Sequence, residues 1–501
     1  MKARFFQLAS SRSGATVLLV TLSLLTLFFG IGSLPFVGSD EPRYAEVARE
    51  MWVSSDYISP RLAGRLWLEK APLLYWGQAL FYSFFGPSEL AARLPSALGA
   101  LAIVLGIRAV ARRALDERAA LYVGIVAASM GMMIYLSHGA STDMTLCTMF
   151  SGAFLCLFRA AYSRKHGFAF SMASAAFVGG AMLAKGLIGP LLFLLVSGIW
   201  WSWARPDRRE FKTSAPRAVF QRIGTFAAAL AVFFAVSSVW YAPVWLRHGE
   251  FFWQEFFVNQ HFKRFTSNEY KHPQAPTFYL AILPLCALPW TLWLFGAARG
   301  FRALRPKLSQ RDAFLAFAWV WAIVPIAFFS ASESKLPSYI LPSFPAIAIL
   351  AGEALSRGVF VPRRFKPRQI ALGGAVFMAL LVIGAFTIYA PRNEDKLSTR
   401  SLCRVVAAQM RPGELATFLD LGKEYDPVFY LQGRVVANDK PGRRDTFVAA
   451  TPAELLPLLQ KGSLVVFAKN EDAAKMEGNP AFSAQLLGVH RKIRAYRIEK
   501  K

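Results

Sequence analysis

Apolar runs alternate with short polar connectors over the first 390 residues. About eleven are long enough to cross a hydrocarbon core of about 30 Å: 16–34, 93–112, 119–137, 142–161, 168–184, 186–204, 223–246, 277–298, 313–331, 336–356 and 369–390. This pattern predicts a polytopic α-helical membrane protein. Only "AKG" separates the fifth run from the sixth, so that pair reads either as two spans or as one kinked or re-entrant element. The first run follows Lys2, Arg4 and Arg12, exceeds an ordinary signal-peptide core and lacks a small-residue cleavage site, which predicts a retained span.

Two segments break the pattern. The connector 35–92 is long, and "SDEPRYAEVAREM" within it puts Tyr44, Val47, Ala48 and Met51 at helical spacing, with Arg43, Glu46, Arg49 and Glu50 on other faces. That spacing predicts an amphipathic helix in the membrane interface, capped by Ser39 or Asp40 with Pro42 in its first turn. "RLWLEKAPLLYWGQALFYSFFG" (65–86) predicts a second one. Beyond about residue 391 the chain offers short β-type runs at 414–421, 427–437, 463–469 and 492–500, and a helical stretch at 451–461. The expected organisation is a transmembrane domain over 1–390, with the outer loop 35–92, and a small α/β domain over 391–501.

Composition agrees: 55% of the 501 residues are hydrophobic and 18% charged, with 43 Phe and 13 Trp. A net charge of +26 raises the question of nucleic acid, but Lys and Arg are dealt out among short connectors and form no single patch. The basic clusters at 108–118, 159–166, 205–212, 299–307 and 357–368 fall on one side of the span pattern. The positive-inside rule then predicts a cytoplasmic N-terminus. The loop 35–92, the turn 138–143, Lys185, the loop 247–276, the segment 332–338 and the tail are then expected on the opposite, outer side of the membrane. Four cysteines show neither a disulfide framework nor metal-thiolate spacing.

The polar residues with chemical potential gather on that outer side, and each has two readings. Asp40 is either only a helix cap or a carboxylate with a further role. Glu69 and Lys70 are either a solvated helix start or a metal ligand beside a phosphate-binding cation. Asp143, in "STDMTL", is a cap or a cavity group; Lys185 snorkels or meets an anion. His261 in "NQHFKRF", with Lys263 and Arg264 beside it, is a solvated loop residue or a metal ligand, and Lys335 and Tyr339 in "SKLPSYILP" stand at the outer mouth of a span, where the plain reading is an interfacial anchor.

Taken together, "DEPRYAEVAREM", Pro60-Arg61-Leu62 with Gly64, "EKAPLLYW", "ELAARLPSALGA", "STDMTL", "LAKGLIGP", "NQHFKRF" and "SKLPSYILP" resemble the GT-C fold glycosyltransferases that use polyprenyl-phosphate sugars. The nearest resemblance is to the aminoarabinose (lipid A) transferases and protein mannosyltransferase-like enzymes. It implies Asp40 and Asp143 as catalytic carboxylates, Arg43, Tyr44, Lys70, Lys185, Arg264, Lys335 and Tyr339 around donor phosphate and sugar, and Glu69 and His261 as ligands of zinc or a similar divalent ion. Glu41 receives no role. Trp67 stands where aminoarabinose enzymes tend to carry Tyr, and about eleven spans are a couple fewer than usual; both bear on the sugar, not the reaction class.

The implied activity moves a sugar from an undecaprenyl-type phosphate carrier to lipid A or another glycan or protein acceptor, with inversion and without a nucleotide cofactor. The absence of a Gly-rich phosphate loop accords with that. The alternatives are a transferase of the same fold acting on protein hydroxyls or core polysaccharide, and a lipid or sugar transporter. An internal inverted repeat, which many transporters carry, is not seen in the sequence.

Overall fold

The computed structural model describes residues 12–163, 165–203, 216–263, 274–301, 304, 309–419, 425–436, 448–449, 451–459 and 462–501. They divide into two compact units. The first comprises Met1–Ile31, Glu69–Leu74 and Arg93–Gly384; the second comprises Gly32–Leu68, Tyr75–Ala92 and Ala385–Lys501. The outer loop and the C-terminal tail, some 300 residues apart in sequence, thus fold as one body.

In the first unit each apolar run has a helical counterpart. Among the described residues seven helices are long and apolar enough to cross a membrane, or up to nine counting each bent pair as one span. The bent pairs are Glu117–Ala128 with Gly131–Ser137 and Phe278–Cys286 with Thr291–Gly300; Ser13–Phe28 and Ile188–Trp203 are shorter apolar helices. The ambiguous fifth and sixth runs form two helices, Gly167–Lys185 and Ile188–Trp203. Gly189 of the second lies against Ala181 of the first, so the chain doubles back at the connection.

Small residues and indole donors hold these helices together. A Cβ on Gly352 would lie 2.5 Å from Val123 Cα, so helix Phe344–Ser356 meets helix Glu117–Ala128 at backbone distance. Trp321 Nε1 donates to the Pro342 carbonyl (2.7 Å) and Trp290 Nε1 to Ser129 Oγ (3.2 Å). Charges sit at helix ends in pairs. Glu353, nearly buried, accepts from Arg311 and Arg357, and Arg108 bonds Glu117 at 2.6 Å.

The second unit begins with helix Asp40–Ser54, in which Tyr44, Val47, Ala48 and Met51 are buried as their spacing predicts. Glu46 and Arg49, expected on a polar face, are buried too. Arg49 donates to both Glu46 oxygens at 2.7 Å and lies under Gly433 of the tail, where a Cβ would come within 2.7 Å of its Nη2. Burial pushes the Glu46 carboxyl up to about 8 despite that pairing. The helix is an internal element of this unit on two faces rather than an amphipathic surface element.

After it, Arg61–Leu62 (β1) and Arg65–Leu66 (β2) form a hairpin across Ala63 and Gly64, both at positive φ (50° and 78°). A two-residue turn with left-handed torsions at both positions favours glycine, which accounts for Gly64 in the P-R-L-x-G motif. The Glu50 carboxylate accepts the Gly64 N–H at 3.0 Å, and helix Leu73–Phe85 returns along the loop, its Tyr82 hydroxyl donating to the Ala45 carbonyl (3.1 Å).

The tail supplies a five-stranded sheet among the described residues: Leu415–Leu419 (β3), Val448–Ala449 (β4), Leu464–Lys469 (β5), Phe482–His490 (β6) and Ile493–Lys500 (β7), in the order β4-β3-β5-β7-β6. β3 pairs in parallel with β4 and β5, whereas β7 pairs antiparallel with β5 and β6. The central β5, "LVVFAK", is buried almost throughout, as a strand covered on both faces must be. The β-type run 427–437 is instead mostly helix and turn: Asp426–Tyr430 is helical, and only Val435 bridges, to Ala416. Pro427 suits a first helical turn and Gly433, at φ 81°, ends the turn that follows.

The tail is tied to the loop by polar contacts inside this unit. Arg400 donates to Glu89 (2.7 Å), Glu394 (2.8 Å) and the Ser33 carbonyl (3.3 Å). Tyr430 donates to the same Glu89 oxygen and accepts the Phe36 N–H, both at 3.0 Å. Burial and the Glu89 charge raise the Tyr430 phenol above its ordinary range, which keeps it a donor.

At the sheet, Glu414 accepts from Arg497 Nε (2.7 Å), the Arg411 N–H (2.9 Å) and Ser463 (2.7 Å). Burial pushes its carboxyl up, but these donors outweigh burial and hold it at about 2. A depressed carboxyl contributes stability that is fully present above the unfolded value near 4.5 and is lost as pH falls toward 2. Thermal unfolding of the full-length protein in detergent should therefore show Glu414→Gln less stable than wild type at pH 6. The gap should close progressively between pH 4.5 and 2, and a gap independent of pH would contradict this account.

Candidate active site

In the second unit, Asp40 opens its helix but does not cap it by side chain. Ser39 precedes the helix with no cap bond, and the Asp40 carboxylate accepts from Arg43 one turn on. Glu41, unassigned from sequence, accepts the Val37 N–H at 2.8 Å and fixes the chain entering the helix. The Asp40 side chain is 56% exposed and that of Arg43 only 13%. The Arg43 guanidinium lies 5.4 Å from the Tyr44 ring centroid, 5.5 Å from Trp67 and 5.3 Å from Tyr425. Three aromatic faces thus surround the cation that holds Asp40.

In the first unit, Ser141 caps helix Thr142–Tyr162 by accepting the Asp143 N–H at 3.1 Å, which leaves the Asp143 carboxylate to another partner. That partner is Lys185, the last residue of helix Gly167–Lys185, whose Nζ also lies 4.6 Å from the Tyr339 ring centroid. Asp143, Lys185 and Tyr339, distant in sequence, form one cluster, and Lys185 is paired rather than turned to lipid. The segment carrying Glu69 and Lys70 belongs here: Leu73 packs on Leu146, Ala181 and Ala184, one turn from Asp143 and next to Lys185. Lys335 is buried and donates to the carbonyls of Gln274 (3.0 Å) and Ser332.

Against known proteins, residues 69–241 match a family model described as dolichyl-phosphate-mannose-protein mannosyltransferase. The undecaprenyl phosphate-alpha-4-amino-4-deoxy-L-arabinose arabinosyl transferase of Pseudomonas paraeruginosa is 30% identical over 378 residues, covering 73% of this chain and 65% of its own length. Its counterpart in Edwardsiella ictaluri is 28% identical over 344 residues, covering 67% of this chain and 59% of its own length. The chain thus spans less than two thirds of the length of either curated relative.

The crystal structure of ArnT from Cupriavidus metallidurans bound to undecaprenyl phosphate is similar over 97% of this chain and 98% of that one, with a TM-score of 0.80 at 23% identity. The chain has the GT-C fold. A more distant GT-C likeness is the archaeal oligosaccharyltransferase AglB from Archaeoglobus fulgidus, in complex with an inhibitory peptide and a dolichol-phosphate. Its TM-score is 0.54 at 13% identity, over 96% of this chain and 73% of that one. By sequence this GT-C chain is a multi-pass membrane relative of the aminoarabinose transferases and of the protein mannosyltransferase-like proteins.

Two expected site groups of the GT-C chain lie outside the described side chains. His261 is part of the helical turn Trp253–Lys263, of which its side chain is not described, and Arg264 lies outside the described residues. Among the described residues no group of three or more His, Cys, Asp or Glu side chains could hold a metal ion, so Glu69 gains no such companions there.

Tyr425 is a ring of the candidate site that motif reading overlooked, and Trp67, noted there only for its bearing on the sugar, was given no place at Arg43. Trp67 carried a signal, as an aromatic two residues before Glu69, whereas Tyr425 carried none. The half-buried Asp143–Lys185 pair generates a test, since removing one partner strands a charge. Asp143→Leu should cost on the order of 3 kcal/mol in unfolding of the detergent-solubilised protein. Asp143→Leu with Lys185→Met should recover most of that loss; a double variant no more stable than the single one would refute the pairing.

Proposed function

We propose that this GT-C protein is an inverting glycosyltransferase that moves aminoarabinose or a related sugar from a polyprenyl-phosphate carrier to lipid A or another envelope acceptor. Transfer takes place on the periplasmic side of a bacterial inner membrane, with the N-terminus cytoplasmic. The observation that carries this reading is the full-length fold likeness to a structure bound to undecaprenyl phosphate, together with buried or half-buried cations, Lys335 and Lys185, near the ends of spans.

The chemistry follows from charge. Attack by an acceptor oxygen forms a new bond at the anomeric carbon while the bond from that carbon to the phosphate oxygen breaks, and its electron pair leaves on the phosphate. The leaving group gains negative charge, so cations fixed before the reaction lower the barrier without reorganising. Lys335, Lys70, Lys185 and Arg264 are the proposed cations, and Tyr339 shields Lys185 from lipid. Lys335 spends its donors on neutral carbonyls, which suits it to an arriving anion. Asp143 holds Lys185 in place between turnovers.

Asp40 is the proposed base. For a hydroxyl acceptor it takes the proton as the new bond forms; for an acceptor that is already an anionic phosphate, it instead orients the donor sugar with Arg43 and Tyr44. The match of residues 69–241 to the mannosyltransferase model favours, as a second reading, a protein hydroxyl as acceptor. Glu69 and His261 remain the proposed ligands of a divalent ion such as zinc, and no step above runs through it.

Asp40→Asn should lower transfer by about 10²- to 10⁴-fold at equal membrane abundance. This is read by mass spectrometry of lipid A and envelope proteins from cells with and without each form. Wild-type product levels in the variant would refute the site, and a new glycan on protein alone would select the second reading. For orientation, a C-terminal alkaline phosphatase fusion should be active and a C-terminal fluorescent fusion requiring the cytoplasm dark; the reverse pattern would place the tail inside the cell.

A further inference from the structure

Tyr425 belongs to the tail, yet its ring is one of three that face the Arg43 guanidinium. It is 3% exposed, and its position is fixed from several sides within the loop–tail unit. It immediately precedes helix Asp426–Tyr430. The Asp426 carboxylate at the start of that helix accepts from Ser398 Oγ, the Thr399 N–H (2.8 Å) and Thr399 Oγ1 (3.3 Å). At its far end Tyr430 joins Glu89 to the Phe36 N–H, and Phe429 packs edge-on against Phe36 at 4.9 Å. A short helix anchored at both ends by polar contacts is a rigid mount, and it holds an aromatic face against the cation.

Arg43 is enclosed while its partner Asp40 is open. An arginine side chain has many rotamers to lose, and three ring faces restrict it before any substrate arrives. We propose that Tyr425 is a positioning residue of the transfer site, closing the aromatic enclosure around Arg43 and so fixing the Arg43–Asp40 pair that presents the carboxylate. The C-terminal tail is then a working part of the site rather than an appended domain. This rests on the glycosyltransferase reading with Asp40 at its centre.

The test uses full-length protein in detergent, with undecaprenyl phosphate-linked aminoarabinose as donor and lipid A as acceptor. Tyr425→Phe keeps the ring and should retain kcat within about twofold. Replacing Tyr425 by pentafluorophenylalanine preserves shape but removes the negative ring face, and should lower kcat about tenfold with donor KM nearly unchanged. Tyr425→Leu should lose at least as much kcat, yet in an Arg43→Gln background it should cost nothing further, because the ring acts through Arg43.

Equal kcat for the Phe and pentafluoro forms would overturn the inference while leaving the reaction in place. So would a Tyr425→Leu loss that multiplies with that of Arg43→Gln, or an effect confined to KM. If Tyr425→Leu does not fold, the two ring variants still decide. A wild-type protein that makes no product would overturn the reading on which the inference stands.

Discussion

The loop–tail unit depends on Arg400. A guanidinium removed from water costs several kcal/mol unless its donors are met by charge, and here they reach Glu89, Glu394 and the Ser33 carbonyl. Those partners come from the start of a membrane helix, from the chain leaving the last span, and from the exit of the first. Glu89 is shared with Tyr430, and Tyr430 with the Phe36 N–H, so one cation and one carboxylate register three distant segments. Arg43 and Asp40 stand on that frame, because helix Asp426–Tyr430, held by the same network, brings Tyr425 to Arg43.

The first unit obeys the same constraint in apolar surroundings. With 18% charged residues in a chain of about eleven apolar runs, a charge either ends a helix or finds a partner. Glu353 takes two arginines, Arg108 takes Glu117 and Lys185 takes Asp143. Lys335 differs in kind, since its recorded acceptors are neutral carbonyls. Carbonyls orient an ammonium without neutralising it, so among the described residues this buried side chain has no carboxylate partner. In the proposed transfer, whose leaving group is a phosphate, that distinction separates cations that hold the fold from one available to a developing anion.

What the sequence disclosed follows the range of the forces involved. Helices that bury an apolar length are legible from hydropathy alone, and each of the apolar runs has its helix. β5 and β7 are legible for the same reason, being rich in Val, Ile, Phe and Tyr. "PVFYLQGRVVA" carries the same residue types, yet folds mainly as helix and turn because Pro427 and Gly433 set local torsions that composition does not reveal. "FSAQLLGVH" has little β-branched content and becomes β6 through its pairing with β7. Arg49 looked solvated because part of its cover, Gly433, is nearly 400 residues away, and Glu46 is buried with the arginine it pairs with. The motifs marked Asp40, Asp143 and Lys185 singly; that Asp143 pairs with Lys185, or that Tyr425 faces Arg43, is long-range packing that no local spacing encodes.

The opening of helix Asp40–Ser54 shows how capping and chemistry divide between neighbours. A carboxylate at a helix N-terminus is favoured by the helix dipole wherever its oxygens point, so Asp40 need not bond the backbone to be stabilised there. Glu41 reaches back to the Val37 N–H and steadies the entry to the helix, which frees Asp40 to meet Arg43. Because Arg43 is shut in by three rings while Asp40 is more than half exposed, the pair is asymmetric: the cation is fixed and the carboxylate is presented. On the proposed glycosyltransferase reading, this is the carboxylate that meets the incoming acceptor. A solvated helix cap gains nothing from an aromatic enclosure around its counter-ion, and under the proposed reading that enclosure serves the presentation of the Asp40 carboxylate.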